Sequence, residues 1–329
     1  MARPLVTVLT TPVPGGVRHA YQALRSAVRP LVKPSVPLPA MSAYPGHYSV
    51  TRSVVEGLRA IDADFNFNPS RFCDVGSIVY APANEALAQA IAMKRHGRIR
   101  WLVAGPTNVL VPDETAGIIR APEIDRLIIA SDWVRELYAS APLLLPKLRV
   151  CPVGVDAAYW RPVRQSRESR ALVYWKNGDE RFCATVDEVV RRAGLEAIRI
   201  RSAHGASALF TSDQLRRELD DAIVAVYLSS FETQGIALAE AWAMDVPTLV
   251  WDPKGPAEWR GHVFTSRSSA PYLTPATGRT WTTLAELELV LGEMMRDRTR
   301  LAPRAWVLAH MTDAICARAL YDILTRDRE

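Results

Sequence analysis

Ser229 to Asp252 reads SSFETQGIALAEAWAMDVPTLVWD, and this stretch decides the fold. An apolar run, Ala222 to Leu228, leads into it, bounded by Asp221 before and Ser229-Ser230 after. Rich in Ile, Val and Tyr, that run has the length and composition of a buried strand. Gly235 then opens a helical pattern in which Ile236, Leu238, Ala239 and Trp242 are apolar and Glu240 is charged. Asp245 and Pro247 close the helix, and Thr248 to Trp251 reads as the next strand. Strand, polar turn, helix and strand make a βαβ unit, with the helix N-terminus at the carboxyl edge of a sheet. Open α/β sheets bind ligands at that edge, and a helix N-terminus presents free N–H groups and about half a positive charge.

Two carboxylates bracket this anion-ready terminus. Glu232 lies in the turn and Glu240 eight residues later. A diphosphate over the N–H groups of Gly235, Ile236 and Ala237 would have one Glu on either side. Carboxylates repel phosphate but accept hydrogen bonds from hydroxyl groups at the two ends of a diphosphate. A nucleotide-sugar has that form, with ribose hydroxyls at one end and hexose hydroxyls at the other.

Glu232-x7-Glu240, with Gly235 inside it and AEAWAMDVPTLVWD following, resembles the signature of the retaining GT-B glycosyltransferases, family 4 (group 1) in particular. A bare pair of Glu at this spacing is common; the preceding strand, the Gly and the following strand make it specific. The resemblance implies two Rossmann-like doubly wound α/β domains facing across a cleft. It implies that Glu232 contacts the donor sugar and Glu240 the ribose, and that sugar passes with retained configuration to a hydroxyl acceptor in polysaccharide or glycoconjugate synthesis. Gly154-Val155-Asp156 with Trp160 and Pro162 resembles the turn that ends the family's first domain. The expected division is 1–156, 157–310 and a final segment, 311–329, that packs back on the first domain.

The family also places cations beside the departing diphosphate. Lys176, directly after the apolar strand Ala171 to Trp175, is the candidate here, with Arg181 second. Preorganised cations and helix N–H groups stabilise the charge left on a departing phosphate, so no metal or other cofactor is expected. A Gly-rich loop near the N-terminus approaches donor phosphates and acceptor in the family. Two segments fit, Gly15-Gly16 and Gly46-His47, and the second is preferred because SVTRSVVEGL follows as an amphipathic helix. His47 is then a candidate contact to acceptor or donor sugar, or an ordinary loop histidine. Phe210, beyond the turn at His204-Gly205, is placed near the nucleobase by position alone. Asn108 and Ser131 follow strands of the first half and are candidates, neither of them catalytic, for lining the acceptor side.

Composition fits this reading. The 329 residues are 49% hydrophobic and 23% charged, enough for two domains with their own cores. No apolar run approaches the roughly 20 residues that span a bilayer. MARPLVTVLTTPVPGG reads as a first strand and not as a secretion signal, so the expected location is the cytoplasm, with peripheral attachment at the inner membrane face as a further option. Cys73, Cys151, Cys183 and Cys316 form no CxxC and are expected to be buried free thiols. Asp62-Ala63-Asp64 matches a metal-binding D-x-D, but it follows a helix and reads as a solvated turn. Neither GxGxxG after a strand nor GxxxxGK[ST] is present, which argues against nicotinamide or P-loop chemistry.

Residues 1–60 hold seven basic side chains (Arg3, Arg18, Arg25, Arg29, Lys33, Arg52 and Arg59) against one acid, Glu56, within a net charge of +5. Such an edge attracts anions, so an anionic or membrane-borne acceptor is expected and nucleic acid is not; a solvated basic helix face would give the same count. Elsewhere strands and helices alternate, as in a parallel doubly wound sheet. Pro253 to Thr280 reads as one long connection, followed by helices over about 284–296 and 313–325. An epimerase or phosphorylase of the same fold, or a non-catalytic nucleotide-sugar-binding protein, would share these features.

Overall fold

The computed structural model describes residues 5–14, 48–164, 169–202, 210–265 and 267–327. The chain divides into two units, one comprising residues 1–130, 137–154 and 313–329, the other 131–136 and 155–312. Gly15-Gly16, Gly46 and His47 lie outside the described residues, as do Arg18, Arg25, Arg29 and Lys33.

The first unit is built on six parallel strands: β1 (Val6–Val8), β2 (Phe65–Phe67), β3 (Ile78–Ala81), β4 (Trp101–Ala104), β5 (Arg126–Ile129) and β6 (Leu148–Val150), in the order β2-β1-β3-β4-β5-β6. Every residue of β1 and β3 is buried, as expected where helices cover both faces of a parallel sheet. Helices α1 (Tyr48–Ala60) and α2 (Asn84–Arg95) connect strands. The loop after β1 is pinned at the sheet's carboxyl edge. Asn68 Oδ1 accepts from the N–H groups of Thr10 and Thr11 at 2.8 and 3.2 Å. The Gln89 amide exchanges two bonds with the Val13 peptide, at 2.6 and 2.9 Å. Asp64 of the D-x-D string spends its carboxylate on Leu5 N–H, at 3.0 Å.

The second unit carries a five-stranded parallel sheet: β7 (Arg170–Trp175), β8 (Glu196–Arg201), β9 (Val224–Leu228), β10 (Thr248–Trp251) and a strand Gly278–Trp281. A short antiparallel hairpin, β11 (Ala257–Trp259) and β12 (His262–Phe264), precedes that last strand, which is therefore β13. The order is β13-β10-β9-β7-β8. Three helices connect the strands: α3 (Glu180–Arg192), α4 (Ser212–Asp221) and α5 (Ile236–Ala243). Asp179 caps α3 by accepting from Phe182 N at 2.7 Å, and Thr211 caps α4 through Gln214 N at 3.1 Å. Val173, Val226 and Leu249 lie within one apolar core, each such buried side chain stabilising by about 1.5–3 kcal/mol.

Two regions escape a sequence reading. The stretch 253–280 is not one connection: it holds the β11–β12 hairpin and the start of β13. Gly, Arg and Thr dominate β13, so it lacks the apolar signal of a central strand. Its glycine has a steric reason, because a Cβ at Gly278 would lie far inside contact distance of the Thr248 carbonyl on β10. Gly278→Ala is expected to destabilise this unit by about 1–3 kcal/mol. An unchanged urea midpoint would show that β13 and β10 can part without cost.

The other omission is helix α7 (Pro303–His310), which follows α6 (Leu284–Arg296). Arg304 on α7 donates to the carbonyls of Ala157, Trp160 and Ala243, tying residues 157–160 to the C-terminus of α5. The final helix, α8 (Asp313–Thr325), belongs to the first unit and packs on α1. Its Asp313 takes two bonds from Arg52, at 2.7 and 3.1 Å.

Three of the four cysteines are buried, and burial pushes the thiols of Cys151, Cys183 and Cys316 up to about 12. Cys73 is exposed, contrary to expectation, on a short 3₁₀ turn (Phe72–Asp74) with no buried residue. Among the described residues no helix is long and apolar enough to cross a membrane, and no cluster of metal-ligating side chains occurs.

Candidate active site

The strand order of the second sheet locates the site. Renumbered within its own unit it is 2-1-3-4-5, which reverses direction between β7 and β9. In an open α/β sheet the carboxyl ends at such a switch point form the ligand crevice. Lys176 directly follows β7, and the turn carrying Ser229 and Glu232 directly follows β9. The N–H groups of Lys176 and Asn177 both donate to the Leu228 carbonyl, at 3.0 and 2.8 Å, which locks the two strand ends together.

That lock brings the predicted side chains into contact. Lys176 Nζ donates to Glu232 Oε1 at 2.7 Å, and Ser229 Oγ donates to the same oxygen at 2.7 Å. The pair is largely shielded, with side chains 19% and 17% exposed. Asn177 Oδ1 accepts from Ser230 N at 3.0 Å and ties the two turns again. Glu232 is also held through its backbone. Its N–H donates to the Ser268 carbonyl at 2.8 Å, and its carbonyl accepts from Trp133 Nε1 at 2.8 Å.

Gly235 then turns the chain into α5 with φ +80° and ψ 57°, a left-handed conformation that glycine adopts without steric cost. A Cβ there would also meet Leu238 Cδ1 at 2.8 Å. The N–H groups of Leu238 and Ala239 bond back to the Gly235 carbonyl. Those of Gly235, Ile236 and Ala237 have no acceptor among the described residues, so the three N–H groups named from sequence are the ones left open. Glu240 follows on the same helix, half-buried.

A tyrosine pair links the strands to the helix. Tyr174 on β7 stacks on Tyr227 on β9 with ring centroids 4.8 Å apart, and Tyr227 Oη donates to the Ala237 carbonyl at 2.6 Å. Phe210 packs edge-on against Tyr174 at 5.9 Å, so it stands beside this pair. Burial raises both phenols well above the usual range, and the charges of Glu232 and Glu240 push them further the same way. Glu240 also adds to the rise of Tyr159, which burial and a 2.6 Å bond to Asp213 push up to about 12.

Arg181 is exposed on the first turn of α3 and has no side-chain partner among the described residues. Ser131, which follows β5, belongs to the second unit, where its hydroxyl donates to the Thr233 carbonyl. Asn108 is buried and shapes its own loop, accepting from Gly105 N and bonding to Asn84. Sequence reasoning missed Trp133 and Arg267. Arg267, 6% exposed, donates to the Ser230 carbonyl at 2.6 Å and to Asp252 at 3.2 Å, and so braces the turn from below. Both contacts join residues far apart in sequence, and neither leaves a local pattern.

Comparison of the whole chain with solved structures shows its fold. HepE from Anabaena, solved in complex with UDP and glucose, superposes with a TM-score of 0.58 at 11% identity, over 98% of this chain and 99% of that one. The chain has the GT-B fold. Two more structures with that fold match along nearly their full length. The lipopolysaccharide outer core galactosyltransferase WaaB gives a TM-score of 0.53 at 10% identity, covering 97% of this chain and 98% of that one. Sucrose-phosphate synthase from Thermosynechococcus elongatus gives 0.52 at 12% identity, covering 98% of each. No family model matches the sequence, and no curated protein matches it by sequence.

Proposed function

We propose that this GT-B chain is a glycosyltransferase of the retaining, family 4 kind, moving a sugar from a nucleoside diphosphate-sugar to a hydroxyl acceptor. The observation that carries the reading is the Lys176–Glu232 contact at the switch point, beside the three open N–H groups of α5. Lys176 and those N–H groups form a cationic seat for a diphosphate. Glu232 and Glu240 are acceptors for sugar and ribose hydroxyls, and Phe210 with the Tyr174–Tyr227 pair is an aromatic flank for the base. The HepE structures, solved with UDP and with UDP-glucose, support a donor of this class. As the sugar–phosphate bond breaks, charge grows on the departing diphosphate, and Lys176 and the helix terminus stabilise it without reorganising.

The positive field comes from the protein, so nucleoside diphosphates are expected to bind without added metal. Titrating UDP, GDP, ADP and dTDP in chelator checks this, and a thermal-shift screen across the matching nucleotide-sugars identifies the donor, because a ligand that binds only the folded state raises its apparent stability. No binding by any of the four would end the reading. A strict requirement for Mg²⁺ or Mn²⁺ in turnover would end its metal-independent form.

For the acceptor, the charge of residues 1–60 favours an anionic molecule or one carried on an anionic membrane. Attraction of this kind is screened over about 10 Å at 0.1 M salt. Binding to anionic vesicles is expected to fall as salt rises and on charge reversal of Arg18, Arg25, Arg29 and Lys33, with donor binding hardly changed. Flotation insensitive to both treatments would refute it.

A further inference from the structure

The proposed catalytic turn is held by two residues of a six-residue segment distant in sequence. After Ala130 the chain leaves the first unit, and it returns at Leu137; residues 131–136 belong with the second unit. They deliver two donors to consecutive carbonyls. Trp133 Nε1 donates to Glu232 O at 2.8 Å, and the Ser131 hydroxyl donates to Thr233 O. Neither donor is loosely placed. Ser131 is 2% exposed, and the Trp133 indole stacks on Phe264 of β12 at 5.9 Å with its edge toward Phe231 at 6.2 Å.

On the opposite side the Glu232 N–H is fixed to Ser268 O at 2.8 Å. Both peptide groups of Glu232 are thus anchored to other segments, and anchored peptides fix the direction of the Cα–Cβ bond. The carboxylate then has a set origin before Lys176 and Ser229 fix its oxygens. We propose that Trp133 and Ser131 are positioning residues that aim Glu232 at the donor sugar, an inference that rests on the glycosyltransferase reading above.

Trp133→Phe keeps an aromatic ring between Phe264 and Phe231 and removes only the N–H donor; Ser131→Ala removes the second donor with little change in volume. UDP-glucose and UDP serve as the first probe pair, with GDP-mannose and GDP, and ADP-glucose and ADP, as replacements if the wild-type protein prefers another base. Each variant is expected to lose about fivefold in kcat, since a neutral hydrogen bond of this kind contributes about 1 kcal/mol to placing a group. Donor KM and nucleoside diphosphate affinity should stay within about twofold, and amide exchange over residues 229–238 should quicken. Unchanged kcat in both variants, with a wild type that turns over donor, overturns the positioning role and leaves the glycosyltransferase reading intact. Equal losses of nucleotide affinity and kcat would also overturn it, because a merely structural brace would act that way. A wild type that binds none of the nucleotides sinks the reading and the inference together.

Discussion

Glu232→Gln is expected to cut sugar transfer about a hundredfold while nucleoside diphosphate binds as well as before or more tightly. The amide is nearly isosteric and can still accept from Ser229. What it loses is charge, and hydrogen bonds to a charged group are worth about 1.5–3 kcal/mol, roughly ten- to a hundredfold in rate. The gain for the bare nucleotide follows from Lys176. Its ammonium now sits on the Glu232 carboxylate at 2.7 Å, and neutralising that partner leaves the full positive charge facing the diphosphate seat. Lys176→Ala should do the reverse and weaken nucleotide binding tenfold or more. Glu240→Ala should also weaken the bare nucleotide, because a ribose hydroxyl pair loses its acceptor. Calorimetry on the four nucleotides and donor turnover separate these outcomes. Equal losses of nucleotide affinity in the Glu232 and Glu240 variants would contradict the assigned division of labour.

Gly57→Val is expected to destabilise the first unit by about 3 kcal/mol. Gly57 sits where α1 and α8 touch. A Cβ there would meet Ala317 Cβ at 2.7 Å and come closer still to the Asp313 carbonyl. The two helices could only part, and parting them would stretch the two-bond contact between Arg52 and Asp313, whose side chains are 19% and 13% exposed. Breaking a shielded ion pair leaves charges poorly compensated, which adds to the cost. Urea unfolding together with limited proteolysis over residues 313–327 reads the effect. A native-like midpoint and protection pattern would mean that the contact does not hold α8 in place.

Where sequence and structure agree, the reason is local. The strand before Ser229, the glycine at the start of α5 and the strand through Trp251 each depend on residues within a few positions, so the central βαβ unit is legible. The alternation of strands and helices gives the parallel doubly wound sheets, and the GT-B fold is implied by the resemblance carried on that unit. The positions of Lys176 and of the turn that carries Glu232 are legible for the same reason, since each follows an apolar strand. Strand β13 is not, because Gly278, Arg279 and Thr280 carry no apolar signal, and Trp281 alone brings it into the core. Arg267 reads as a loop cation until the fold buries it against Ser230 and Asp252. Trp133 is 99 residues from the carbonyl it holds, and no periodicity reports a contact of that span.

The division of the chain also sets an order of assembly during translation. Helix α8 belongs to the first unit, yet every residue of the second unit is synthesised before it. The second unit can close on the ribosome as soon as residues 155–312 have emerged, because its other part, 131–136, is already made. Meanwhile the face of α1 around Gly57 has no covering helix. Exposed apolar surface of this kind is what chaperones capture and what aggregates in their absence. The N-terminal half of this protein therefore matures last, and a nascent chain halted between residues 155 and 312 presents an uncapped first unit next to a second one that is already folding.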